Sequence, residues 1–387
     1  MPNQISIMLV DDSAVIRGIL TQILEAEGDM KITASVANGA LAIEKLKVNP
    51  VEIIILDIEM PVMDGLTALP QLVALRPETK VLMCSTLSVE NGEATMKALA
   101  LGATDYVAKP SSFSNIANGV DFKDELRNKI RMIVTGSRRP AFTPHPVPAS
   151  GAQPVANSTT TRTATQQAAS LAERLAANAP PVIRPLPSLF RPSILSIGCS
   201  TGGPKALPSV MPHLLGIKVP VIITQHMPAT FTRILAEQLE KSTGFAIKEA
   251  AEGDVLEPGK AYVAPGGFHM AFKRENGQVL VKTDNGPPVN FCKPAVDVML
   301  NSAIEVIGGN ILSLILTGMG SDGYLSCQNL VKAGGAVIAQ DRETSIVWGM
   351  PGAVATDELC SAVLPLDAIG PHIKRTFPSM FTLGNRL

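Results

Sequence analysis

No two of the five cysteines stand as a Cys-x-x-Cys pair: Cys84, Cys199, Cys292, Cys327 and Cys360 are odd in number and far apart. That spacing argues against a zinc site and against a disulfide framework, and for reduced thiols in a cytoplasmic protein. The chain also lacks an excess of either charge. Its 33 Lys+Arg against 34 Asp+Glu leave a net charge of −1, which disfavours a protein built to hold nucleic acid or an anionic membrane surface. No apolar run reaches the roughly 18 residues of a membrane span. The opening MPNQISIMLVDD does not have the basic-then-apolar form of a secretory leader. At 387 residues there is room for two ordinary domains with full cores.

Among what is present, the stretch Ser193–Leu207, SILSIGCSTGGPKAL, stands out. A buried strand at Ile194–Ile197 breaks at Gly198-Cys-Ser-Thr-Gly-Gly203, and Pro204 suits the first turn of a helix. A serine at a tight strand-to-helix turn can serve as a nucleophile, with helix N–H groups behind it for an oxyanion. The same layout also cradles phosphate, so Ser200 needs a base and an acid elsewhere before the first reading holds. Cys199, beside it, reads as a small packing residue.

Residues 1–125 alternate strand-like runs (Ile5–Val10, Lys31–Val36, Ile53–Leu56, Val81–Cys84, Asp105–Val107) with helical patterns, the mark of a parallel sheet covered on both faces. Asp11 and Asp12, Asp57, Ser85 and Lys109 fall at the carboxyl ends of four of these runs, which share one edge of an open sheet. Crowded carboxylates call for a cation, and hard oxygen ligands favour Mg2+. A carboxylate beside Mg2+ and a lysine is suited to accept a phosphoryl group, and Ser85 to hydrogen-bond it afterwards. Taken singly, Asp12 or Ser13 could cap a helix. Together with the block Asp57-Ile-Glu-Met-Pro-Val-Met-Asp-Gly65 and Lys109-Pro110, these residues resemble the receiver domain of two-component response regulators. The resemblance implies phosphorylation of Asp57 by a histidine kinase, Mg2+ held by Asp11, Asp12 and Asp57, and switch contacts at Ser85, Tyr106 and Lys109.

Residues 126–189 are expected to be a long, largely disordered linker, most plainly from about Ser137, where Pro, Ala, Ser and Thr dominate. A helical island at 168–179 and an inert His145 belong to it.

Residues 190–387 alternate again, and a second, mainly parallel α/β domain is expected. Val219-Pro-Val-Ile-Ile-Thr-Gln-His226 runs from a strand into a histidine, and Ile311–Gly323 runs from another into a Gly-rich turn carrying Asp322. Ser200, His226 and Asp322 thus all end strands, where such a sheet builds its site, and they make the set needed for acyl transfer. The N–H groups of the Thr317–Gly320 turn and of Thr201 are candidate oxyanion donors. His213, His269 and His372 are rival bases, and Asp254 and Asp297 rival acids. Of these, Asp297 suits a helix cap and His269 a pocket wall.

GCSTGGPKAL, ITQHMPATFT, VAPGGFHM, KPAVDVM, LTGMGSDG and AQDRETSIVWGMP resemble the catalytic domain of chemotaxis protein-glutamate methylesterases, although Ser321 stands where asparagine is common. The N-terminal receiver matches that family's architecture, so two doubly wound α/β domains are expected: one flavodoxin-like, the other Rossmann-like. The resemblance implies a phosphorylation-activated serine hydrolase acting on methyl-accepting chemotaxis receptors. It would release methanol from glutamyl methyl esters and deamidate certain glutamines, with no metal at the hydrolase step. Ser200, His226 and Asp322 take the triad roles and the Met319 N–H joins Thr201 at the oxyanion hole. The alternative is a binding or scaffold module under receiver control, with a non-catalytic Gly-rich pocket. No DNA-binding helix pair with a basic recognition helix is present.

Overall fold

In the computed structural model, residues 4–86, 89–109, 120–137 and 181–382 are described. The first sheet takes strands β1 (Ile5–Val10), β2 (Met30–Val36), β3 (Ile53–Leu56), β4 (Lys80–Thr86) and β5 (Asp105–Lys109), all parallel, in the order β2-β1-β3-β4-β5. Helices α1 (Ala14–Glu25), α2 (Gly39–Val48), α3 (Gly65–Leu75) and α4 (Val89–Ala100) alternate with them. β3 is buried throughout, as a strand covered on both faces must be. Ser13 caps α1 by accepting from the Ile16 N–H, one of the two dull roles expected for this corner.

Helix α5 (Val120–Ser137) corrects the expected boundary at residue 125. Its sequence is charged, yet Phe122, Leu126, Ile130, Ile133 and Val134 are buried at helical spacing against the first sheet. The described part of the first unit therefore runs to Ser137, and the helical island and His145 lie outside the described residues.

The second sheet has seven parallel strands in the order β14-β13-β12-β6-β7-β9-β8. They are β6 (Ile194–Cys199), β7 (Val221–Gln225), β8 (Ala246–Glu249), β9 (Lys260–Val263), β12 (Ile311–Ile315), β13 (Ala336–Gln340) and β14 (Cys360–Leu364). The hairpin β10 (His269–Glu275) and β11 (Gln278–Asp284) stands apart from the sheet. Helices α6 (Gly203–Val210), α7 (Phe231–Thr243), α8 (Val296–Ile307), α9 (Tyr324–Lys332), α10 (Met350–Ala355) and α11 (Leu366–Thr376) complete this half. The far edge begins before residue 190, because the Val182 and Arg184 N–H groups donate to the Ala355 and Cys360 carbonyls. The chain enters at β6, builds outward through β7, then crosses to β12 on the other side of β6. The strand order therefore reverses between β6 and β12, and a crevice opens at their carboxyl ends.

Candidate active site

In the first sheet the reversal falls between β1 and β3, and there the ligand oxygens of Asp11, Asp12 and Asp57 lie within 4.8 Å of one another. Lys109, at the end of β5, bridges two of them, with Nζ 2.6 Å from Asp11 Oδ2 and 2.8 Å from Asp57 Oδ2. Burial pushes Asp57 up, Lys109 opposes that and Asp11 adds to it, leaving its pKa at about 6. Burial works to lower Lys109, but Cys84, Asp57 and Asp11 outweigh it and hold the ammonium charged. Three hard carboxylate oxygens gathered on one side of a lysine fit a Mg2+ ion. The Ser85 hydroxyl pairs with that of Thr95 at 2.8 Å. Tyr106 is buried and its ring stacks on Phe231 of α7, centroids 5.1 Å apart and planes 12° apart. Lys129 of α5 sits 5.1 Å above that ring and donates to the Tyr106 carbonyl.

The second crevice holds the other predicted residues. Ser200 follows β6, His226 follows β7 and the Thr317–Asp322 turn follows β12. Gly202 takes φ +83°, and a Cβ on Gly203 would collide with Gln225 Oε1 and crowd Cys199, so the turn after Ser200 favours glycine at both positions. Gln225 ties nucleophile to base by donating to the Ser200 and His226 carbonyls. Gly318 has the same close fit, for its Cβ would lie 2.9 Å from Ser200 Cβ. The oxyanion candidates thus stand against the serine. Within that turn the Thr317 N–H is taken by Gln340 Oε1 and the Gly318 N–H by the Val347 carbonyl. Among the described residues, the Met319 and Thr201 N–H groups donate to no protein acceptor.

His226 Nε2 lies 2.7 Å from Asp322 Oδ2. The Asp322 carboxylate also accepts from the Val296, Asp297 and Gly323 N–H groups, so it doubles as the anion at the N-terminus of α8. Burial would raise Asp322, but His226 and these backbone donors hold it below the usual carboxylate range. Burial would likewise lower His226; hydrogen bonds to Asp322 and then Cys292 overcome it and hold the imidazole up at about 10. Nδ1 faces Cys292 Sγ at 3.3 Å, and among the described residues no hydrogen bond joins it to Ser200.

Residues 195–373 match the family model described as CheB methylesterase, and residues 7–121 the one described as response regulator receiver domain. A protein-glutamate methylesterase/protein-glutamine glutaminase of group 2 operon from Rhodospirillum centenum is 46% identical over 374 residues, covering 95% of this chain and 93% of its own. Protein-glutamate methylesterase/protein-glutamine glutaminase 1 of Paramagnetospirillum magneticum is 45% identical over 381 residues, covering 96% of each chain. This chain belongs to that family. Among solved structures, the Thermotoga maritima CheB methylesterase catalytic domain is 38% identical with a TM-score of 0.47, covering 48% of this chain and 98% of its own. The response regulator domain of Thermotoga maritima CheB is 34% identical with a TM-score of 0.31, covering 33% of this chain and 95% of its own.

In this methylesterase-family chain, the rival residues fall into place by their contacts. His213 lies exposed on a short 3-10 turn, and His372 on α11 contacts Thr376. Asp254 pairs with Lys248 at 2.7 Å. Asp297 is not the cap of α8, which is Ala295; it is buried two residues further in, accepting from the Ser326 N–H. His269 is buried at the start of β10, with both ring nitrogens bonded to backbone. Sequence reasoning passed over Asn290 and Cys292, which touch Asp322 and His226 from a loop that ends no strand.

Proposed function

We propose that this chain is a receiver-controlled serine hydrolase that demethylates glutamyl methyl esters on methyl-accepting chemoreceptors and deamidates receptor glutamines. The observation that carries the hydrolase is the buried His226–Asp322 pair, 2.7 Å apart, at the strand-order reversal that also positions Ser200. A Gly-rich phosphate cradle has no use for that pair, which disfavours the scaffold alternative. With Nε2 committed to Asp322, Nδ1, which faces Cys292 Sγ here, is the nitrogen that turns to take the Ser200 proton. Ser200 Oγ attacks the glutamyl carbonyl, and the Met319 and Thr201 N–H groups receive the oxyanion. His226 then returns the proton to the departing methanol, or to ammonia from a glutamine, and a water frees Ser200 by the same steps in reverse order. Asp322 keeps the ring oriented and stabilises its charged form.

Asp57 is the phosphoacceptor and a chemotaxis histidine kinase the donor in this reading. Mg2+ held by Asp11, Asp12 and Asp57 would offset charge on the phosphoryl oxygens. Ser85 and Lys109 would turn from Thr95 and the carboxylates to the new phosphate. The Tyr106–Phe231 stack is the route outward, since Phe231 opens α7 just after His226. The end of α5 reaches the catalytic half as well: Gly136 lies against the Ile346 carbonyl, and Ile346 and Met319 pack on the cluster that α5 completes. A receiver so placed competes with substrate for the oxyanion turn, and phosphorylation shifts the balance toward the open state. Among the described residues no helix is long and apolar enough to cross a membrane; the reading places the enzyme in the cytoplasm, where it meets the receptors' signalling ends.

The test is methanol release from methylated receptor membranes by the native protein and by Ser200→Ala, each with and without a small phosphodonor and Mg2+. Release that requires Ser200 and rises with phosphodonor is expected. Release by Ser200→Ala at the native rate would overturn the hydrolase assignment, and release indifferent to phosphodonor would overturn the control.

A further inference from the structure

Between the hairpin β10–β11 and helix α8 the chain makes one tight turn over the triad. Val289 and Cys292 exchange both backbone hydrogen bonds, at 3.1 and 2.9 Å, with Asn290 and Phe291 at the tip. Both tip residues have positive φ, +52° and +62°, the conformation of the primed hairpin turns. Asparagine tolerates it; a phenylalanine there is strained and in this chain fully exposed. Among the described residues no hydrogen bond or ring contact engages the exposed Phe291 side chain, and the contacts of the turn lie on its inner side.

There, the Asn290 side-chain amide donates to two carboxylates at once, with Nδ2 3.0 Å from Asp322 Oδ1 and 3.0 Å from Asp297 Oδ2. We propose that Asn290 is a positioning residue of the hydrolase, whose amide separates these two buried acids and fixes Asp322 so that Oδ2 faces His226. This rests on the hydrolase reading above and deepens it. Oδ1 is occupied by Asn290 and the Asp297 and Gly323 N–H groups, which leaves Oδ2 for His226 and the Val296 N–H. Asp297 is the hazard. Burial and then the charge of Asp322 push its pKa up, so the two acids repel wherever no donor lies between them. A backbone N–H cannot serve both, whereas an NH2 group carries two hydrogens. His269 holds the base of the arm, donating from Nε2 to the Pro287 carbonyl and accepting the Ala295 N–H at Nδ1.

Asn290→Gly tests this while preserving the left-handed turn. Two readouts are taken: methanol release from methylated receptors, and the rate at which a phosphonyl fluoride modifies Ser200, which needs His226 but no receptor. If native protein labels at Ser200 yet releases no methanol, the receptor reading fails and the labelling rate still decides the present proposal. Expected for Asn290→Gly is a fall of about tenfold or more in kcat and in labelling, with KM within about twofold. The acid limb of the rate should also move to higher pH. His226 is faced by Asp322 and Cys292, with Asp297 behind, and unshielded carboxylate charge favours its protonated form. Adding Asp297→Asn removes the repulsion and offers a substitute amide, so the double variant should recover much of the labelling rate and bring the limb back. Native rates in Asn290→Gly would overturn the proposal. So would a loss that Asp297→Asn leaves unrelieved with the limb unmoved, since that is the mark of a turn needed only for packing.

Discussion

As the proposed base, His226 would meet two opposite protonation demands, and its surroundings set which is met at a given pH. A base must be neutral, yet Asp322 and Cys292 together hold the ring's pKa up at about 10 against the effect of burial. Methanol release should therefore keep rising above pH 6.5, the ordinary histidine value, and Asp322→Asn should shift the limb to lower pH while cutting the rate. Stability runs the other way. A histidine raised on folding contributes stability that is fully present below about 6.5 and fades as pH climbs through its folded value. Urea unfolding of native protein and Asp322→Asn should show the larger gap near pH 6 and a smaller one near pH 10; equal gaps would mean that the ion pair does not form. The placement of Ser200, His226 and Asp322 was legible because each follows the carboxyl end of a strand, and those ends share an edge. Asn290 and Cys292 were not, because a loop that folds back over the edge leaves no periodic signal. Ser85 also shows the limit: its place at the end of β4 was readable, but its pairing with Thr95 depends on how α4 packs.

Elements followed the same division between pattern and context. Buried strands such as Ile5–Val10 and Ile53–Leu56 appear where the apolar runs place them. Helix α5 was lost to the linker because its charged face masks one apolar stripe, whose partner is the sheet. β8 and β10 are short or half-exposed, and their alternation is too brief to read. What no pattern could supply is the meeting of β5 with α7. Tyr106 lies on β5 of the first sheet and Phe231 opens helix α7 of the other half, and their stack is the kind of contact worth about 0.5–1.5 kcal/mol beyond simple burial. If the stack helps to hold the receiver over the oxyanion turn, Tyr106→Leu should raise methanol release without phosphodonor by about two- to tenfold. It should leave the phosphorylated rate near native. Unchanged basal release would remove Tyr106 from the switch.

At the scale of the whole molecule, the receiver and the hydrolase touch through α4, α5 and β5 on one side and α6, α7 and the Ile346 loop on the other. Part of this contact is aliphatic, with Gly92 of α4 lying against Ile234 of α7. Between the halves run residues 138–180, which lie outside the described structure and whose composition reads as a tether. A tether adds no contact; it keeps the receiver at an effective concentration on the order of millimolar for short linkers, falling as the chain lengthens. On the proposed reading, inhibition in the unphosphorylated protein would be the product of that interface and this concentration. A single specific protease cut within 138–180 removes the second factor and leaves the first. In the cut protein, methanol release without phosphodonor should be low at high protein concentration and rise on dilution, as the receiver leaves. The intact chain should show the same specific activity across the series. If the cut protein stays inhibited at nanomolar concentration, the interface alone holds the halves together and the tether has no share in the control.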